Sequence, residues 1–385
     1  MAFYQMLAGY QRGLQPAATD SWQGDDDDEE SQLSYTSSQL SSTFSQPQVF
    51  GPPRPPQVVE VPQHGNTNQL LWDINRHQSQ ATYPEILSLT TADVLSAGLL
   101  YAGFDRARQQ RNNENRKIEW FKAFYGVEPT TVVPFFEDLR IDYPEISYKD
   151  ALMTMNWLYL YDTYPVLSGR WKCCEEYIGS KVIEYGMYMA NLGRKKIIFE
   201  LNNDVELGRT VDCSTFMVQE FRLDPSSEWF DHKTHSCGLK YEYCLAIDEP
   251  RVVHMSGPFA PSIHDITVFR GGDPNDEDNW DPDALYFKLE EGEKCVGDSG
   301  YAGEPAKVVV TKDEHSSEFK EFLARAKNRQ ETFHWRLKSF NILGHRFRHG
   351  VSTQDKMDLH KMANEAVVGI VQYDYDNGHP PFDVR

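Results

Sequence analysis

The chain has 385 residues, a net charge of −20 and 40% hydrophobic residues, which is room for two ordered domains and a sizeable core. No apolar run approaches the roughly 20 residues of a membrane span, and no basic-then-apolar signal opens the sequence, so neither membrane insertion nor secretion is expected. Six scattered cysteines without a Cys-x-x-Cys pair read as reduced thiols of an intracellular protein and argue against a zinc finger.

The average charge argues against a nucleic-acid partner, but it hides segregation. Acid collects in Asp25-Asp-Asp-Asp-Glu-Glu and in residues 273–283, while base collects in residues 106–117, 194–196 and 325–348. Charge segregated in this way leaves room for a basic groove.

Residues 1–85 are rich in Gln, Ser, Pro and Asp and include the polyproline-like Gly51-Pro-Pro-Arg-Pro-Pro, so they are expected to be a disordered acidic tail. Residues 86–195 carry helical signals and are expected to be a helical domain. Thr91-Ala-Asp-Val-Leu begins one capped helix, and Glu119-Trp-Phe-Lys-Ala-Phe-Tyr runs to Gly126, a natural helix stop. Glu128-Pro-Thr-Thr then opens the next helix, residues 132–139. Helix, glycine turn, helix fits a helix-turn-helix unit that reads DNA, and it fits equally a bundle that only packs on its neighbour. A further pair, residues 148–161 and 172–192, is joined by a turn at 165–169.

From residue 196 the period changes. Residues 196–200, 210–218, 239–247, 252–256, 294–297 and 308–310 are short and rich in Val, Ile, Tyr and Cys, as strands are. A helical pattern follows over 316–340, with Phe319, Phe322, Leu323, Ala326, Phe333, Leu337 and Phe340 on one face. The last domain, 196–385, is therefore expected to be α/β, a mixed sheet with flanking helices.

Four carboxylates stand out by context. Asp212 lies inside an apolar strand, where an uncompensated acid costs several kcal/mol. Asp298 ends a strand between Gly297 and Gly300, which let the backbone turn sharply beside it. Asp265 follows the third strong strand and reads equally as a helix N-cap. Glu331 is the only acid between Arg325 and Arg348, with Arg325, Lys327, Arg329, Arg336, Lys338, Arg346 and Arg348 around it. That pattern suits a surface ion-pair network, and it also suits a metal-dependent enzyme acting on a polyanion. Convergent carboxylates bind the hard cations Mg²⁺ or Mn²⁺, and two such ions about 4 Å apart assist phosphoryl displacement. The lysines and arginines would hold the phosphate backbone. His232, His235, His254, His264, His345 and His349 show no metal-ligand spacing, although His264 adjoins Asp265. Trp335, near Glu331, suits stacking on a flipped base, with core packing as the stronger expectation, and Arg194-Lys-Lys is a weak nuclear-import signal.

Four segments carry a resemblance: Thr210-Val-Asp-Cys-Ser-Thr, Ser256-Gly-Pro-Phe-Ala-Pro-Ser-Ile-His-Asp-Ile-Thr-Val-Phe-Arg, Gly297-Asp-Ser-Gly-Tyr-Ala-Gly and Asn328-Arg-Gln-Glu-Thr-Phe-His-Trp-Arg-Leu-Lys-Ser-Phe. Taken in order, they resemble the successive motifs of Harbinger-type DDE transposases, the DDE superfamily endonuclease domain. The resemblance implies a ribonuclease-H-like fold and a nuclear, metal-dependent enzyme that cleaves and joins DNA strands. Asp212, Asp298 and Glu331 would be its catalytic and metal-holding acids, and Asp265 an additional metal acid. It also implies a homo-oligomer on DNA and a separate DNA-binding partner protein. A transposase-derived DNA-binding or adaptor protein without catalysis is the alternative.

Overall fold

The computed structural model describes residues 89–200, 206–273 and 275–385, and the expected tail, residues 1–85, lies outside them. The described residues begin with seven helices: α1 (Thr91–Tyr101), α2 (Ala107–Gln110), α3 (Glu114–Tyr125), α4 (Pro129–Asp142), α5 (Tyr148–Leu160), α6 (Tyr164–Trp171) and α7 (Glu175–Lys196). Their starts are chemical. The Thr90, Asn113 and Ser147 side chains accept the backbone N–H groups of Asp93, Arg116 and Asp150. Gly126 closes α3 in the left-handed region at φ 83°, as its position in the sequence predicts.

Two expected elements differ. The turn at 165–169 is inside α6, because Pro165 occupies the first helical turn, where a missing N–H costs nothing. The expected strand at 196–200 does not form among the described residues. The helix continues instead to Lys196, with Arg194, Lys195 and Lys196 in its last turn, where cations meet the negative end of the dipole.

The sheet follows: β1 (Leu207–Met217), β2 (Phe230–Asp231), β3 (Ser236–Ala246), β4 (Val252–Phe259), then α8 (Asp265–Arg270), α9 (Leu285–Lys288), β5 (Lys294–Val296) and β6 (Val308–Val309). The order across it is β4-β3-β1-β5-β6, and two-residue β2 pairs with the start of β3. β1, β3 and β4 are antiparallel neighbours, whereas β5 and β6 run parallel to β1. This is the mixed sheet expected from the strand pattern. The chain ends with α10 (Ser317–Ser339), α11 (Asn341–Gly344) and α12 (Thr353–Asp376).

Both sheet faces are covered. On one, Val211, Cys244 and Val253 pack with Phe269, Leu285 and Tyr301. On the other, Leu323 and Ala326 of α10 meet Val296 and Ile247, and Phe333 and Leu337 join the main core. That core runs without a break from Val94 in α1 to Tyr375 at the end of α12.

α12 ties the helices to the sheet. Its His360 bonds Tyr241 at 2.8 Å, Asn364 donates to the Tyr243 hydroxyl, and Gln372 accepts from the Val252 N–H at 2.8 Å. On its other side it crosses α7 with backbone against backbone. A Cβ added at Gly369 would stand 2.7 Å from the Gly193 Cα, and one added at Gly193 would strike the Glu365 carbonyl oxygen.

Glycine-to-alanine changes are expected to separate by sign. Inside a free helix alanine gains roughly 0.5–1 kcal/mol over glycine, and Gly169→Ala, where nothing lies within 4 Å, is expected to show it. Gly193→Ala and Gly369→Ala are expected to lose about 1–3 kcal/mol by overpacking, measured as midpoints of urea unfolding.

Candidate active site

The four acids come from four elements. Asp212 stands midway along β1. β5 is only three residues long, and Thr210 is level with Val296 in the parallel register, so continuing by two residues sets Asp298 level with Asp212 just past the end of β5. β1 thus overhangs its parallel neighbours, and the acids collect where the neighbours stop.

Each carboxylate has its own support. An Asp212 oxygen accepts the Cys213 N–H at 2.8 Å, and its other oxygen is 3.7 Å from Nδ1 of the buried His334. Asp298 caps the short turn at Ser299–Tyr301 and accepts the Gly300 N–H at 2.8 Å. A side chain on Gly300 would be 2.9 Å from an Asp298 oxygen and 3.3 Å from an Asp265 oxygen, so this glycine is the space between those two acids. Asp265 is the first residue of α8, after the cap position, which His264 holds; the N-cap reading of Asp265 therefore gives way to an ion pair with Lys240 at 2.8 Å. Lys240 also donates to the Ile263 carbonyl, so the pair is anchored on both sides. Glu331 is exposed on α10, one turn before Trp335.

These charges act on one another. Burial raises the Asp212 carboxyl to about 7, and the negative charges of Asp298, Glu331 and Asp265 add to the rise against the relief given by the Cys213 N–H. A buried acid repelled by three others is a place that favours a cation. Carboxylate oxygen is the donor set that Mg²⁺ and Mn²⁺ prefer, so these residues fit a hard divalent ion by chemistry. As they stand, no group of three or more His, Cys, Asp or Glu side chains among the described residues is arranged to hold one. The carboxylates are neighbours in charge before they are neighbours in coordination.

The cationic helix is different from its sequence. Arg329 is 2% exposed and donates to the carbonyls of Phe382 and Glu249. Arg336 pairs with Asp374 at 3.1 Å and donates to the His379 carbonyl, and Arg348 donates to the Tyr161 carbonyl. Those three brace the fold. Lys338 is the cation of this helix whose charge meets the acids: burial lowers its ammonium, and Glu331 and Asp212 draw it back up. Trp335, expected in the core, is 69% exposed. The Arg194-Lys-Lys run is engaged in pairs with Glu365, Asp142 and Asp376.

Several residues escaped the sequence. His334 lies three positions after Glu331, and burial lowers its imidazole to about 3, so it meets Asp212 neutral. Gln330 holds it in place: it accepts from the Thr210 hydroxyl and donates to the Tyr243 carbonyl at 3.2 Å, and its amide nitrogen is 3.4 Å from His334 Nε2. Glu242 is fully buried on β3, and neither of its oxygens has a hydrogen-bond partner among the described residues; the nearest cationic type is His254 Nε2 at 3.9 Å. Burial drives Glu242 well up, with Asp265 and Asp212 adding to it, so its surroundings favour the protonated form. An acid within an apolar strand was the signal that marked Asp212, and the same signal marks Glu242.

Residues 211–368 match the family of DDE superfamily endonucleases. The matched span contains Asp212, Asp265, Asp298 and Glu331 and ends within α12. No curated protein and no solved structure matches the chain. No described helix is long and apolar enough to cross a membrane.

Because Asp212 is raised from 3.8 to about 7, the folded chain keeps a proton between those values that the unfolded chain has lost. Stability therefore falls as pH rises through that window. Asp212→Asn, neutral throughout, is expected to be more stable than wild type at pH 8 by on the order of 2 kcal/mol. The gain should shrink steadily toward pH 4, and melting temperatures of both proteins across pH 4–8 check it.

Proposed function

We propose that the chain is a divalent-metal-dependent DNA endonuclease of the Harbinger transposase type, with Asp212, Asp298 and Glu331 as catalytic acids. The observation that carries this reading is the placement of Asp298 level with Asp212 just past the end of β5, with Asp265 and Glu331 near enough to act on the Asp212 charge. A binding protein gains nothing from negative charge gathered where DNA phosphates would lie. The strand order β4-β3-β1-β5-β6, three strands antiparallel and two parallel, supports a ribonuclease-H-like core.

Asp212, Asp298 and Glu331 would hold Mg²⁺ or Mn²⁺, with Asp265 joining if it leaves Lys240. The ion supplies Lewis acidity toward a phosphodiester and its attacking hydroxyl. The chain's own part is positioning. The Cys213 N–H and the neutral His334 orient Asp212, the Gly300 N–H orients Asp298, and Lys240 sets the approach of Asp265. Lys338, on the same stripe of α10 as Glu331, is the cation available to a phosphate beside the acids.

The reading extends to partners. The exposed side of α4, with Glu137, Arg140, Ile141 and Asp142, has no basic surplus. A separate DNA-binding protein would then supply site recognition, and the enzyme would work as a homo-oligomer on DNA in the nucleus.

The test is nicking of a supercoiled plasmid with Mg²⁺ or Mn²⁺. Wild type is expected to nick, and Asp298→Asn to lose more than about 100-fold, beyond the 10–100-fold that an outer-shell partner costs. Mn²⁺ is expected to raise the melting temperature of wild type and to leave that of Asp298→Asn unmoved. If neither protein cuts and both shift DNA with one salt dependence, the reading fails and the chain is a binder.

A further inference from the structure

Trp335 is 69% exposed, whereas the other described tryptophans are buried or half-buried. Leaving an indole in water forgoes the burial that large aromatic side chains ordinarily supply to a core. Among the described residues no ring or cation packs on its face. Its position on α10 is specific. Glu331, Trp335 and Lys338 recur at i, i+4 and i+7, so all three stand on one stripe of the helix. The same helix buries Phe333, His334 and Leu337 on its other side, which fixes that stripe outward.

The stripe has a cationic border. Lys338 is exposed as a residue while its ammonium is partly desolvated: its Nζ lies 5.5 Å over the Phe216 ring, and Asp231 and Lys233 are near enough to act on its charge. Residues 232–235, the turn between β2 and β3, are all exposed and include His232, Lys233 and His235. Arg346, also exposed, reaches the end of that turn and donates to the Ser236 hydroxyl at 3.2 Å. A flat aromatic face one helical turn from Lys338, with Lys233 near Lys338 and Arg346 at the end of the same β2–β3 turn, is the combination that holds single-stranded nucleic acid: bases stack on the ring and cations follow the phosphates.

We propose that Trp335 is a stacking platform for one unpaired DNA base beside the Glu331 end of the acid cluster, with Lys338, Lys233 and Arg346 tracking the strand that carries it. This deepens the nuclease reading and rests on it for the identity of the nucleic acid. A base stacked one helical turn from Glu331 would hold the strand against sliding, so Trp335 is a positioning residue and not a catalytic one. Duplex ends and nicks expose such a base at the least unstacking cost, so the platform prefers DNA with a single-stranded overhang to blunt duplex.

The experiment uses the full chain in EDTA, where no cleavage intervenes, and a duplex with a short overhang carrying 2-aminopurine at the junction. Wild type is expected to quench the 2-aminopurine on binding. Trp335→Ala is expected to lose most of the quench and to bind the overhang DNA about 10-fold more weakly, within the range that one stacked base supplies. Its affinity for blunt duplex should equal that of wild type. Trp335→Phe is expected to restore most of the quench, which a merely structural role for the indole would not predict. Trp335 is exposed, so the alanine variant is expected to melt with wild type, and circular dichroism checks this.

Equal quench and equal overhang affinity in wild type and Trp335→Ala would overturn the proposal, as would the absence of any quench in wild type. Plasmid nicking with Mg²⁺ separates the two readings. Nicking without a Trp335-dependent quench leaves the nuclease and removes the platform. A Trp335-dependent quench without nicking leaves a single-strand binding site and removes the nuclease.

Discussion

The contact between Gly193 and Gly369 governs the rest of the architecture. Two long helices, α7 and α12, touch there through backbone, with no side chain between them. Everything that α12 holds is set by that approach. Its sheet-facing side chains, His360, Asn364 and Gln372, bond Tyr241, Tyr243 and Val252, so the height of the helix above β3 and β4 follows from how closely it can lie on α7. At its far end Asp374 receives Thr131 from α4 and Arg336 from α10. The helical half of the chain therefore acts as a buttress for the sheet, and α10, with Glu331 on it, is braced from behind.

The second constraint is electrostatic and opposes the first. Asp212, Asp265, Asp298 and Glu331 crowd the place beside central strand β1 where β5 stops, and Asp212 bears the cost in its raised proton affinity. A fold selected for stability alone would relieve this with an arginine, and α10 has several. Arg329 and Arg336 are turned the other way, onto the carbonyls of the C-terminal segment. Cationic side chains are thus within one helical turn of the acids and are employed elsewhere. The net result is a local excess of negative charge that the chain relieves only in part, by Lys240 on Asp265 and by Lys338.

How much of this was legible in the sequence depends on what kind of pattern each element makes. β1, β3, β4 and α10 alternate apolar and polar residues at their own period, and they lie within a few residues of where that alternation puts them. α12 makes no such pattern. It is buried round most of its circumference, with Lys356, His360, Asn364, Glu365 and Gln372 inside, so no polar face sets off an apolar one. Asp212 was visible because an acid amid apolar strand residues is conspicuous. Glu242 carried the same mark, but in β3 it alternates with Lys240, and alternation makes polar residues look solvent-facing. The destinations of Arg329 and Arg336 could not be read at all, because a guanidinium bonded to a carbonyl fifty residues on leaves no local trace. Trp335 was misjudged for a related reason. It sits two residues from Phe333 and Leu337 in sequence and on the opposite side of the helix from them in space.

The overhang of β1 past β5 has a consequence for the shape of what this protein can take hold of. The acids stand along a ledge, with Asp212 and Asp298 half-buried at its root and Glu331 open at its lip. A pocket selects molecules by their outline and must be entered by an end. A ledge has no mouth, so on the proposed reading a polymer would lie across it sideways and be touched at an interior bond, without being threaded.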